Sequence, residues 1–217
     1  MITHVLDGVP KVLVLAPHTD DAELGCGGTI ARLLQSGANV FVAAFSTAED
    51  SLPPGAPVTQ LRDEFLEAMR ILGVPDSNVI VYGYPVRRLS YHRQEVLEDL
   101  VKLRRRINPD TMLLPSSSDL HQDHQVLCAE GLRLSKDLTV WGYELPWNHI
   151  TFSAQAFVTL ERCHLERKWA ALQAYRSQLQ LGRPYFCRSF VEGLVRVRSV
   201  QVHSEFAEAF EVIRIKW

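Results

Sequence analysis

The chain has 217 residues, 47% of them apolar and 22% charged, with a formal net charge of −2. That is enough apolar material to bury one sizeable core, and the length fits a single domain over 1–217. The near-balanced charge excludes nucleic acid or an anionic membrane held by bulk electrostatics; with no basic leader and no apolar run near the roughly 18 residues of a bilayer span, the expectation is a soluble cytoplasmic protein.

Val12 to Ala16 is an apolar run without alternation, as in a parallel strand covered on both faces, and Pro17 ends it. His18, Asp20 and Asp21 follow at once, in the crevice beyond the strand's carboxyl end where open α/β sheets bind ligands. His18 and Asp21, three apart, can converge on one ion, and adjacent carboxylates call for a counter-charge that a divalent cation supplies. The competing reading makes Asp20 or Asp21 the N-cap of a helix from about Ala22 to Gln35, with His18 incidental. After the motif, Gly27 to Gln35 is expected to form a helix, Gly37 suits its C-terminal turn, and Val40 to Phe45 is a second buried strand.

Ser46 to Val58, with Pro53, Pro54, Gly55 and Pro57, is a loop at the same sheet end, either a pocket wall or a surface loop clear of it. Leu61 to Leu72 has helical apolar spacing closed by Gly73, with Arg62 and Glu64 in its first turn. Val79 to Tyr82 is a third strand, turned by Gly83 to Pro85. His92 to Ile107 is an amphipathic helix whose Arg104, Arg105 and Arg106 suit its C-terminal dipole. Met112 to Pro115 then repeats the opening pattern: a short apolar run, a proline, and His121, Asp123 and His124 at the head of a helix from Asp123 to Leu134.

Val140 to Tyr143 is the next strand, and Glu144, Pro146, Trp147, Asn148 and His149 after it either line a pocket or pack on the sheet end. A strand (Phe157 to Leu160), two helices (Leu165 to Leu179, Ser189 to Arg198) and a terminal strand (Phe210 to Ile215) complete the chain. This alternation predicts an α/β fold of three layers, Rossmann-like, with a mostly parallel sheet and helices on both faces. His4, His92, His164 and His203 lack ligand-like neighbours. Cys26, Cys128, Cys163 and Cys187 form no CxxC pair and fit unpaired thiols of a reducing compartment, Cys26 being a small filler between glycines.

The two strand ends together offer His18, Asp21 and His124, a two-histidine, one-carboxylate set that leaves a coordination position open, as catalytic zinc requires. The same set suits iron(II). Asp20, beside a ligand but not itself one, is the expected general base. His121, one turn before His124, would stabilise a developing oxyanion as an imidazolium, with Asp123 keeping it charged and oriented unless Asp123 is only an N-cap.

The stretch PHTDDAELGCGGT resembles the first motif of the LmbE-like and PIG-L family of zinc-dependent N-deacetylases, usually (A/P)HPDD followed by GxGGT, and LHQDH resembles its HxDH motif. Glu64 to Gly73, Lys168 to Gln178 and Phe206 to Phe210 are similar to further family segments in the same order. Thr19 stands where the family usually has proline, which removes a φ constraint but no ligand. The resemblance implies hydrolysis of an N-acetyl group on an amino-sugar substrate, a small molecule, and it leaves homo-oligomerisation open. The resemblance implies an arginine three residues before the matching glutamate, here Glu64, that holds a hydroxyl or anionic group of the substrate; Leu61 holds that slot here, with Arg62 shifted by one.

Two other classes compete. A dinucleotide-binding oxidoreductase would use Gly25, Gly27 and Gly28, but their order is not GxGxxG, and His18, Asp20 and Asp21 stand where a pyrophosphate needs backbone N–H groups. A non-catalytic carbohydrate-binding module would keep the pocket without turnover, although every residue assigned to chemistry is present.

Overall fold

The computed structural model describes residues 11–52 and 55–216; His4, Pro53 and Pro54 lie outside the described residues. Its strands are β1 (Lys11–His18), β2 (Asn39–Ser46), β3 (Val79–Val81), β4 (Thr111–Pro115), β5 (Thr139–Tyr143), β6 (Ala156–Leu160) and β7 (Phe206–Arg214). The helices are α1 (Asp21–Gln35), α2 (Gln60–Leu72), α3 (Arg93–Ile107), α4 (Gln122–Arg133), α5 (Arg162–Gln173), α6 (Arg176–Gln180) and α7 (Arg188–Val200). The strands form one sheet in the order β3-β2-β1-β4-β5-β7-β6. The first five are mutually parallel, and β7 runs antiparallel to both β5 and β6.

β1 shows why both faces are covered. Val12, Val14 and Ala16 face one core with α1, α2, α5 and α7, while Leu13 and Leu15 face a second with α3 and α4. All five are fully buried, so the unbroken apolar run is a strand between two helical layers. Chain order reverses between β1 and β4, since β2 and β3 build outward on one side and β5 on the other. That switch point opens a crevice beyond the carboxyl ends of β1 and β4. Among the described residues no helix is long and apolar enough to cross a membrane.

The glycines of α1 serve close packing. A Cβ on Gly25 would stand 2.3 Å from Tyr143 Cδ2, and one on Gly28 would stand 2.4 Å from Leu160 Cδ1. The helix also kinks at Cys26, whose φ is −146°. At this kink the Gly28 and Thr29 amides donate to the Glu208 carboxylate at 3.0 and 2.7 Å, while the Leu24 carbonyl accepts from Lys168 Nζ at 2.8 Å. Lys168 completes the exchange by pairing with Glu208 at 2.6 Å, both side chains 3% exposed. A buried pair fully supplied with hydrogen bonds thus replaces the helical bonds the kink removes.

Three expected boundaries differ: α1 begins at Asp21, six residues before the start expected at Gly27, because the chain is helical on both sides of the Cys26 kink. The helix expected from Leu165 to Leu179 is broken into α5 and α6, because Tyr175 turns inward and donates its hydroxyl to Glu23 Oε1 at 2.6 Å. The terminal strand begins at Phe206, four residues before its expected start. Glu208, a charge inside the run, interrupts the apolar pattern, and its pairing with Lys168 together with the Gly28 and Thr29 amides permits burial in the sheet.

Candidate active site

The β1 strand delivers His18 at its last residue, and the turn into α1 carries Asp20 and Asp21. Asp20 occupies the N-cap position with φ 106°, yet its side chain makes no cap bond. Asp21 Oδ2 instead accepts from the His18 amide at 2.9 Å, curling the loop so that both side chains face one point. From the other strand end, β4 leads through Ser116–Leu120 to α4, whose N-cap is His121. The His121 Nδ1 accepts from the Asp123 amide at 3.2 Å, so the cap is the imidazole and the Asp123 carboxylate is left for other partners.

Three atoms converge between these strand ends. His18 Nδ1 lies 3.2 Å from Asp21 Oδ2, His124 Nε2 lies 3.3 Å from the same oxygen, and the two ring nitrogens are 3.3 Å apart. Ligands 2.0–2.2 Å from a tetrahedral ion stand about 3.3–3.6 Å from one another. The outward nitrogens decide the tautomers. His18 Nε2 donates to Asp123 Oδ2 at 2.9 Å, and His124 Nδ1 donates to Asp119 Oδ2 at 2.8 Å. The inward nitrogens then carry lone pairs, and three acceptors meet with no donor among them, an arrangement that calls for a cation. The donor set fits zinc or iron(II).

The three atoms demand positive charge, from a cation or from protons that compete with it: burial opposes the charge, yet Asp21 and Asp119 push the His124 ring up to about 10, and Asp123 and Asp21 raise that of His18. Burial works against the charged form, but the His124 and His18 rings hold the Asp21 carboxyl well below the usual carboxylate range. Burial, with the charge of Asp21 beside it, pushes the Asp20 carboxyl up to about 7. His121 is pushed down to about 4 by burial and by its histidine neighbours. Its ring sits 4.8 Å from that of His18 and 4.6 Å from that of His124, centroid to centroid. With Nδ1 accepting and the ring neutral, His121 presents Nε2–H as a neutral donor, in place of the imidazolium expected from sequence.

Two expected roles shift. The Asp123 carboxylate serves His18 and not His121, and it also accepts from the amides of Arg87 at 2.5 Å and Leu89 at 3.1 Å. Arg62 is exposed and does not line the cavity of about 260 Å³ beside the cluster, whereas Leu61 does. Ala48 and Ser51 make the loop after β2 a wall, and Trp147 and Asn148 come from the loop after β5. Glu144 is bound to Arg198, and His149 accepts from the Leu145 amide. Sequence reasoning missed Asp119, Arg87, Arg183 and Tyr185. Only Asp119 had a local signal, as the remaining acid in the loop that carries His121 and His124.

His121 also brings a ring nitrogen within 4.8 Å of those of His18 and His124, and a second triad, Glu161, Cys163 and His164, gathers its ligand atoms within the same distance. It is a helix cap: His164 Nδ1 accepts from the Glu161 amide and Nε2 bonds Gln35 Oε1, so neither ring nitrogen is available.

The role of Asp123 is open to a direct check. An asparagine there retains one carbonyl oxygen for three N–H groups and turns an amide toward one of them, disturbing the proton that fixes His18. Asp123→Asn is expected to weaken divalent-metal binding about 10–100-fold in chelator competition, as for other carboxylates behind a ligating histidine. Unchanged affinity would show that His18 needs no such partner.

Fold and site together define a three-layer α/β protein with two histidines and a carboxylate gathered at the sheet's switch point. Residues 13–134 match the family model PIG-L: GlcNAc-PI de-N-acetylase, and the chain belongs to that family. An uncharacterised deacetylase of Escherichia coli K12, YaiS, is 28% identical over 171 residues, covering 76% of this chain and 90% of the relative. Among solved structures, the N,N'-diacetylchitobiose deacetylase of Pyrococcus horikoshii superposes with a TM-score of 0.82 at 21% identity, covering 98% of this chain and 87% of that one. The 4-carboxy-2-hydroxymuconate hydratase GalB of Pseudomonas putida KT2440 shares the fold at a TM-score of 0.76 and 20% identity, over 95% and 97% of the two chains. The scaffold alone therefore does not choose the reaction.

Proposed function

We propose that this protein is a zinc-dependent N-deacetylase that hydrolyses the N-acetyl group of a small amino-sugar substrate. The observation that carries the reading is the convergence of His18 Nδ1, Asp21 Oδ2 and His124 Nε2 without a donor, beside a carboxylate that is not one of them. His18, Asp21 and His124 would hold a divalent ion, which would supply polarisation of the acyl oxygen and a water whose pKa is lowered to about 7. Asp20 takes the proton as the water oxygen attacks the acyl carbon, and returns it to the amine nitrogen as the C–N bond breaks. His121 Nε2–H donates to the acyl oxygen while that oxygen carries negative charge. Water and amide thus become acetate and amine.

The stacked pair Trp147 and Tyr185, centroids 3.9 Å apart and 12° from parallel, supports a ring-shaped substrate beside the cavity. Iron(II) is the alternative occupant of the same ligands. All four cysteines are free thiols, which supports a reducing, cytoplasmic setting.

The test is acetate release from a panel of N-acetylated amino sugars by protein carrying zinc or iron(II) at a measured stoichiometry. Release that disappears on chelation and returns with metal is the expected result. Sugar binding without release from any member, with metal bound, would favour the non-catalytic carbohydrate-binding module.

A further inference from the structure

Two segments singled out in the sequence, Glu64 to Gly73 and Lys168 to Gln178, meet beside the cavity. Glu64 on α2 accepts from the Ser177 amide at 3.0 Å and from the Ser177 hydroxyl at 2.6 Å, across 113 residues of chain. Gln178, next to that serine, lines the cavity and is only 5% exposed. Its Nε2 donates to Ser177 Oγ at 3.3 Å, and its Oε1 has no hydrogen-bond partner among the described residues. Resting on the deacetylase reading above, we propose that Gln178 is a specificity-determining residue whose Oε1 accepts a hydrogen bond from one hydroxyl of the amino sugar.

The order of donors fixes which way the amide points. The Glu64 carboxylate only accepts: Gln60 Nε2 at 3.1 Å and the Ser177 amide share its Oε1, and its Oε2 takes the proton of the Ser177 hydroxyl. Ser177 has one such proton, so toward Gln178 its oxygen can only accept, and the NH2 end of the glutamine must face it. Turning the amide over would set Oε1 against an oxygen with no proton to offer. The carbonyl end is therefore the free one. The backbone beneath it is held as well, since the Gln178 amide donates to the Tyr175 carbonyl at 3.1 Å and the Tyr175 hydroxyl is tied to Glu23. A buried acceptor of fixed direction, without a protein partner, favours a ligand that brings a donor and rejects one that lacks it. In the reaction above Asp20 serves the amine nitrogen and His121 the acyl oxygen, so neither reacting atom needs Gln178. The donors left on an amino sugar are its hydroxyls.

The experiment uses the methyl β-glycoside of N-acetylglucosamine and its three counterparts that each lack one sugar hydroxyl, with protein carrying stoichiometric zinc. Wild type is expected to lose about tenfold in kcat/KM, through KM, on one of the deoxy glycosides, the effect of leaving a buried acceptor unmatched. Gln178→Met, similar in length, loses about tenfold on the parent glycoside and nothing further on that deoxy one, a coupling read from the cycle of enzyme and substrate changes. Ser177→Ala keeps the glutamine but frees its amide to turn. It is expected to lose about threefold of the same discrimination, and it carries the test if α6 does not tolerate methionine at the buried position. Metal content stays at the wild-type level in both variants. A wild type indifferent to every hydroxyl, or a Gln178→Met that lowers all four glycosides alike, as a merely structural residue would, overturns the proposal.

Calorimetry with the four deacetylated glycosides separates this from failure of the deacetylase reading. The same coupling in affinity, with no acetate released from any N-acetylated glycoside, supports the hydroxyl contact and rejects the activity. Acetate release by wild type at equal efficiency from all four rejects the contact and keeps the activity. Neither binding nor release with any of them overturns both.

Discussion

Asp20→Asn lowers kcat on the best N-acetylated substrate by about 10²–10⁴-fold, the usual contribution of a positioned general base. Metal content and thermal midpoint stay close to wild type. The choice of asparagine follows from the backbone. Asp20 sits at φ 106°, where alanine would add strain to the loss of the carboxylate, whereas asparagine is among the non-glycine residues best tolerated at positive φ. The side chain makes no cap bond, so its removal leaves α1 intact. It also relieves repulsion from the adjacent Asp21. A variant that retains full turnover would move the base to another cavity residue.

Asp21→Asn has an equally large effect through a different quantity, the bound metal. Asparagine keeps a carbonyl oxygen to accept from the His18 amide, the bond that curls the loop at 2.9 Å, so the local fold is retained. The site loses its anionic ligand and one unit of negative charge. Metal affinity is expected to fall by more than the roughly 100-fold upper range for partners behind a ligand. Turnover at stoichiometric metal falls with it and recovers in part at excess metal. The comparison with Asp20→Asn is informative because the residues are adjacent: one variant keeps metal and loses chemistry, the other loses metal first. Full occupancy in Asp21→Asn, measured by metal analysis after desalting, would remove Asp21 from the ligand set.

The parts of the molecule legible in the sequence share one property, that their signal is local. β1 and β4 declare themselves because a strand covered on both faces must be apolar throughout, and each is followed within a few residues by histidine and aspartate. Their position beyond the strand ends follows from the parallel sheet, and the trio His18, Asp21 and His124 follows from both. Local signals misled where a buried charge or an inward turn contradicted them, as at Glu208 in β7 and at Tyr175 between α5 and α6.

Periodicity and residue type by themselves determined the alternating elements and the two strand-end motifs of this protein, and they singled out His18, Asp21 and His124, which the sheet brings together. Tertiary structure alone decided what each side chain faces. Asp123 orients His18 across 105 residues of chain, Glu208 mends the α1 kink from 179 residues beyond Thr29, and Arg183 reaches the cavity from the connection between α6 and α7. The physical reason is that backbone preference acts over a few neighbouring residues. A buried carboxylate is instead stabilised by whichever groups the sheet brings beside it.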